Sequence, residues 1–216
     1  MRIPFLLGAL VLLAPAAGGA ELPPADVGVR LGYATSFGDA ATGVAMKALA
    51  VRWQAPVQLE ASVRIWRDLA VGPYVSYGPG QVDGAALSGA CQIAGVSCTG
   101  HVWRAGGQAR WTFASVEAPL VPWVGAALGW EWSAVEGKDA TGSSTLSVNG
   151  LEAGFQAGGD WRVARRVTLG PYMMVGLGRY RGETTVGGAP GGGPIADPAT
   201  HGWLGLGLAG RFDVTP

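Results

Sequence analysis

The sequence predicts an all-β fold, an eight-stranded antiparallel up-and-down β-barrel that crosses a membrane. Three observations predict it. Eight segments alternate in polarity with the two-residue period of a strand, one parity of each is apolar and free of charge, and short and long connections alternate strictly.

The first segment, Val27 to Ala34, carries Arg30 on its polar parity. The second, Leu49 to Ile65, lines up Val57, Leu59, Ala61, Val63 and Ile65 on one parity, with Glu60 and Arg64 on the other. The third, Leu69 to Gly78, places Gly72 on the polar parity and contains Pro73, which lacks a ladder donor, so a bulge is expected there. In the fourth, Val102 to Phe113, Trp103, Ala105, Gly107, Ala109, Trp111 and Phe113 alternate with a parity holding Arg104, Gly106, Gln108 and Arg110. The fifth, Leu120 to Trp132, and the sixth, Leu151 to Arg162, put Gly125, Glu131, Glu152, Gly154, Asp160 and Arg162 on the polar side. The seventh, Val167 to Gly178, repeats the third: Leu169-Gly170-Pro171-Tyr172 echoes Val71-Gly72-Pro73-Tyr74, and Pro171 again predicts a bulge. The eighth, Trp203 to Phe212, alternates Leu204, Leu206, Leu208 and Phe212 with Gly205 and Arg211.

Period alone does not say which face is inside, so a soluble lipocalin-like barrel competes. Composition decides it. A strand face wetted by solvent offers Lys, Thr, Ser and Glu, whereas this polar parity is mostly Gly and Arg. Such a face suits a narrow interior filled by a few large polar side chains spaced by small ones. Charged residues are only 14% of the chain, Lys occurs twice and Gly 37 times, far from the charged surface of a soluble domain. The apolar parity then meets lipid, where Lys or Arg at midplane costs about 2–4 kcal/mol. Arg30, Glu60, Arg64, Arg104, Arg110, Glu131, Glu152, Asp160, Arg162 and Arg211 are expected to form a paired network that plugs the interior.

The chain ends fix the orientation. Residues 1–20 join Arg2, the apolar run Ile3 to Leu13 and a small-residue exit at Gly18-x-Ala20, the pattern of a cleaved secretory signal peptide, leaving residues 21–216 as the barrel. The connections Trp66 to Asp68, Ala114 to Pro119 and Val163 to Arg166 are short, while those around 35–48, 79–101, 133–150 and 179–202 are long. Short turns are periplasmic and long loops extracellular in outer-membrane barrels, so both termini are expected in the periplasm. Trp53, Trp103, Trp130 and Trp132 then lie at the outer interface, and Trp111, Phe113, Trp161 and Phe212 at the inner one. Cys91 and Cys98 share one long loop of an exported chain and are expected to form a disulfide.

The runs Pro56-Val57-Gln58-Leu59-Glu60, Gly72-Pro73-Tyr74-Val75-Ser76-Tyr77-Gly78, Pro122-Trp123-Val124-Gly125, Gly129-Trp130-Glu131-Trp132 and Gly210-Arg211-Phe212-Asp213 carry a resemblance. On these residues and the cysteine-bearing loop, positions 56–213 resemble the small outer-membrane β-barrel proteins, in particular a group typical of myxobacteria. The resemblance implies the outer membrane of a Gram-negative bacterium and passage through the barrel-assembly machinery. It implies no chemistry. Such barrels commonly end on an aromatic residue, whereas Phe212 is followed here by Asp213-Val214-Thr215-Pro216.

Little in the sequence points to catalysis. Gly205-Leu206-Gly207-Leu208-Ala209-Gly210 spells a dinucleotide fingerprint but lacks the βαβ unit that the fingerprint needs. His101 and His201, the only histidines, sit where long loops re-enter the barrel and are read as solvated rim residues. Ser97, Thr99 and Asp197 do not stand at a triad spacing. No cofactor or metal is expected, and a net charge of zero without a basic run excludes nucleic acid as a partner. The expected role is structural or surface-interacting: a monomer whose partners are outer-membrane lipid and lipopolysaccharide. The alternatives are an outer-leaflet lipid-modifying enzyme and a narrow carrier for small hydrophobic molecules.

Overall fold

The computed structural model describes residues 25–42, 44–46, 51–83, 91–113, 120–187 and 191–214. The expected signal peptide and the connection at 114–119 lie outside them. Eleven strands follow in order: β1 (Ala25–Ala41), β2 (Val44–Ala45), β3 (Val51–Gln54), β4 (Val57–Arg64), β5 (Leu69–Val82), β6 (Ser97–Thr112), β7 (Leu120–Lys138), β8 (Ser143–Ala164), β9 (Val167–Val186), β10 (Gly191–Pro194) and β11 (Thr200–Asp213). β3 and β4 act as one staves of the wall, broken at Ala55-Pro56, and β2 and β10 are short additions at the loop end. The remaining pairings close an antiparallel ring of eight, because β1 pairs with β4 on one side and β11 on the other. All backbone ladders are thereby shared around the ring, which leaves no open edge within the wall.

The strands run further than their hydrophobic alternation indicates, always at the loop end. β7 continues six residues past Trp132 to Lys138, and β8 starts at Ser143, eight before Leu151. The reason is visible in the burial pattern, which keeps the strand period but exchanges the chemistry of its two faces. Nearer the turns, Val29, Leu59, Leu128, Phe155, Met173 and Leu206 point outward and are exposed, while charged residues are buried inside. Toward the loops, Met46, Val51, Val102, Val135, Leu146 and Val148 are buried inside, and Glu136, Ser147, Asn149 and Arg179 take the outer face. An alternation scan keyed to apolar-out residues stops where the sense inverts.

The outward apolar band extends from Trp103 to Phe113 on the path of β6, ten residue-to-residue steps. At ~3.3 Å per residue and a typical tilt of about 40°, that is roughly 25 Å, matching the apolar band of about 25 Å expected of a membrane barrel. Aromatic residues mark its rims. Trp103 packs on Tyr77 at 4.6 Å between centroids, and Trp130 lies 6.4 Å from Trp132, at the loop-side rim. Trp111, Phe113, Trp161 and Phe212 are exposed at the turn-side rim.

The bulges expected at Pro73 and Pro171 are not formed. Glu60 faces Tyr74 and Val63 faces Val71 in one unbroken register, and Gly158 faces Tyr172 and Trp161 faces Leu169 likewise. Two successive pairs are instead missing from the ladder beside each proline, on the side where its absent N–H would have donated. Gly72 and Gly170 allow this close approach, because a Cβ on either would collide with the carbonyl oxygen of Ala61 or Gly159. The true register shifts fall elsewhere, at Asn149/Gly150 and Arg162/Ala164 of β8, at Val51/Trp53 of β3 and at Asp39/Ala41 of β1.

Candidate functional site

The polar interior is the feature that the wall exists to enclose, and it is stacked in two levels. The level nearer the turns balances three arginines against three carboxylates. Arg30 Nη2 lies 2.6 Å from Glu60 Oε2, Arg211 Nε donates to Glu60 Oε1 at 3.0 Å, and a second Arg211 nitrogen donates to Asp160. Arg110 donates to Asp26 at 2.8 Å, and Ser62 donates to the same carboxylate at 2.8 Å. Glutamines bridge the charges: Gln108 donates to Glu60 at 2.6 Å, and Arg30 donates to Gln156. Trp123 forms the floor of this level, its Nε1 donating to Asp160 at 3.0 Å while Arg30 and Arg211 lie 5.2 and 4.7 Å from its ring centroid. The ring fits because Gly158 stands beside it; a Cβ there would come within 2.5 Å of Trp123.

The level nearer the loops is built around one cation. Arg104 Nε lies 2.6 Å from Glu152 Oε2, and its Nη2 lies 2.7 Å from Glu131 Oε2. Arg104 also donates to Gln54 Oε1 at 3.2 Å and lies 5.0 Å from the centroid of Trp203. Tyr180 donates to Glu131, and His201 stacks on Tyr180 at 3.9 Å with Nε2 3.4 Å from the Glu131 carboxylate. Above it the apolar cluster of Ala40, Met46, Val51, Val102, Val148 and Trp203 closes the loop end, packed against Ile195. These polar groups are buried, so each carboxylate is satisfied by an arginine, amide, hydroxyl or indole N–H within the wall.

Eight of the ten sequence-predicted network residues meet in these two levels. Arg64 does not join them: it is half-buried at the turn-end mouth, without an ion-pair partner among the described residues. Arg162 is exposed where β8 reaches its register shift, so alternation no longer carries it inward. The partners that sequence reasoning did not single out are Asp26, Gln54, Trp123, Tyr172, Tyr180 and Trp203. Each lies on the polar parity of its strand, or on its continuation past the loop-side rim, and that parity was the signal available.

The two histidines part company. His101 is half-buried, its ring 6.1 Å from that of Tyr77. His201 is only 1% exposed, contrary to the expectation of a solvated rim residue, because the wall continues above it and places it between Tyr180 and Glu131. A His–carboxylate pair can relay protons, but a general base must reach its substrate, and this one is sealed beneath the apolar cluster. Cys91 and Cys98 are joined in a disulfide. Among the described residues, no group of His, Cys, Asp and Glu is placed to hold a metal ion.

No protein-family model matches the sequence, and no curated protein matches it significantly. Solved structures do match. Neisserial surface protein A, from Neisseria, aligns over 86% of this chain and 95% of its own at 15% identity, with a TM-score of 0.53. A major outer membrane protein of Thermus thermophilus aligns over 87% and 99% at 15% identity, with a TM-score of 0.58. The outer membrane protein AlkL, solved in lipid bilayers, aligns over 93% and 94% at 14% identity, with a TM-score of 0.51. The chain therefore has the fold of the small eight-stranded outer-membrane β-barrels.

Proposed function

We propose that the chain is an outer-membrane barrel with a structural or surface-interaction role: a closed, lipid-embedded wall that holds its four long loops at the cell surface, with both termini in the periplasm. The single observation that carries this reading is the exchange of faces along the strands. A soluble barrel keeps its apolar residues inside over its whole height, whereas here charge is inside for one stretch and outside for the next. Only a medium that changes from hydrocarbon to water along the wall makes both arrangements favourable. The narrower resemblance to the myxobacterial group belongs to the same proposal and rests on its architectural motifs.

The interior supports a wall over a conduit. Its charges are paired and buried, with Arg104 shared between two carboxylates, and the apolar cluster covers them from the loop end, so a carrier for hydrophobic molecules would have to disperse packed side chains. A lipid-modifying enzyme would need a nucleophile and base open to the outer leaflet, and His201 is turned away from it. Location is the test. Expressed with its leader in a Gram-negative host, the chain should be cut near Ala20, fractionate with the outer membrane and migrate faster unboiled than boiled on a denaturing gel. Recovery as a soluble periplasmic protein with no heat-dependent shift would contradict the reading.

A further inference from the structure

Outside the interior, charge is divided between the two ends of the barrel. At the turn end, Arg64, Arg67, Arg162, Arg165 and Arg166 stand against Asp68 and Asp213, with Glu117 the one further acid in the sequence of the third short connection. The loop end is close to even: by sequence five basic residues, from Lys47 to Arg181, stand against six acidic ones, from Asp39 to Asp197. Arg67, Arg162, Arg165 and Arg166 are all exposed, and none of the four forms an ion pair among the described residues. Arg67 lies in the β4–β5 turn and Arg165 and Arg166 in the β8–β9 turn, with Arg162 at the adjoining end of β8, and the ring order places the two turns four strands apart in either direction. Each turn also has an apolar group beside its charge: Trp66 is 71% exposed in the first, and Val163, at the end of β8 next to the second, is 59% exposed.

We propose that these two turns are binding sites for anionic phospholipid headgroups in the leaflet that adjoins the turn end. A guanidinium offers a planar fork of donors that fits phosphate oxygens, and it is the natural partner of a phosphodiester at a membrane surface. Trp66 supplies the amphipathic ring that settles at headgroup depth. The occupant is phospholipid of the turn-side leaflet and not a phosphorylated glycolipid of the opposite one, because the exposed excess of arginine lies at the turn end and the loop end carries no such excess. Opposed placement lets the two turns hold the barrel level from both sides. The proposal rests on the membrane reading above.

The test uses the full mature chain inserted into vesicles of phosphatidylcholine with a minor fraction of phosphatidylglycerol. The barrel is then excised with its lipid annulus by an amphipathic copolymer, and the annular lipid is quantified by mass spectrometry. Wild type should enrich phosphatidylglycerol about threefold over the bulk vesicle, with the enrichment declining as salt screens it. The triple variant R67Q/R165Q/R166Q should lose the enrichment, and the loop-end control R52Q/R179Q/R181Q should keep it. Absence of enrichment in wild type, indifference to salt, or equal loss in both variants overturns the proposal. The heat-dependent gel shift is read on every sample. A shifted, inserted barrel without enrichment overturns this inference alone, whereas failure of wild type to insert overturns the membrane reading and this inference with it.

Discussion

The residues that hold the interior together are legible to different degrees, and chemistry explains the difference. Glu60, Arg104, Glu131 and Arg211 announce themselves because charge on one parity of an otherwise apolar strand has no place except inside. Trp123 and Trp203 share that parity and are as deeply buried, but an aromatic ring suits lipid as well as a barrel interior. Only the guanidiniums beside them, Arg211 over Trp123 and Arg104 over Trp203, show why the rings turn inward. Arg64 and Arg162 fail for the opposite reason: they lie at strand ends, where parity has no wall to enforce it. The contrast gives a prediction. Arg211→Ala leaves the Glu60 and Asp160 carboxylates short of a buried cation and should cost about 3–5 kcal/mol. Arg64→Ala removes a charge with no described ion pair and should stay within about 0.5 kcal/mol of wild type. Urea titration of the vesicle-inserted barrel, read by the gel shift, measures both; equal stability of the two variants would dismiss the interior network as a source of stability.

At the level of the strand, the third and seventh segments are the same device used twice. In β5 and β9 alike a Gly-Pro pair omits two ladder pairs without losing register, and the tyrosine that follows turns inward. The tyrosines reach across to glycines on other strands: a Cβ on Gly129 would meet the Tyr74 hydroxyl at 2.5 Å, and one on Gly32 would meet that of Tyr172 at 2.7 Å. The sequence echo was visible, but its geometry was not, because a missing donor predicts an interruption without saying whether the chain absorbs it by a bulge or by a gap. A gap suffices here because the adjacent glycine lets the neighbouring backbone approach. Gly170→Ala should therefore force the β8–β9 contact apart and cost about 1–3 kcal/mol, as overpacking does. Gly107→Ala, whose new methyl would meet nothing within 4 Å, should be tolerated. The ratio of folded to unfolded bands during refolding into vesicles separates them; a Gly170→Ala barrel that refolds like Gly107→Ala would show that close approach is not required.

For the molecule as a whole, the central claim is that one wall passes through two media. Alternation made the eight strands and their number legible, because a lipid-facing parity tolerates no charge. It left the upper wall illegible: once apolar residues move inside and polar ones outside, Glu136 to Lys138 and Ser143 to Gly150 read as loop. β8 offers the most direct test, since its odd positions stay on the outer face from Phe155 through Leu151 to Thr145. Cysteine is placed in turn at Phe155, Ala153, Leu151, Ser147 and Thr145, spin-labelled in the vesicle-inserted protein, and probed with oxygen, which concentrates in hydrocarbon, and with a water-soluble nickel chelate. Labels at 155, 153 and 151 should be relaxed by oxygen and sheltered from nickel, with the order reversed at 147 and 145, so that the crossover falls at Asn149. Uniform access by the nickel chelate along the whole series would contradict the account and make this a soluble barrel.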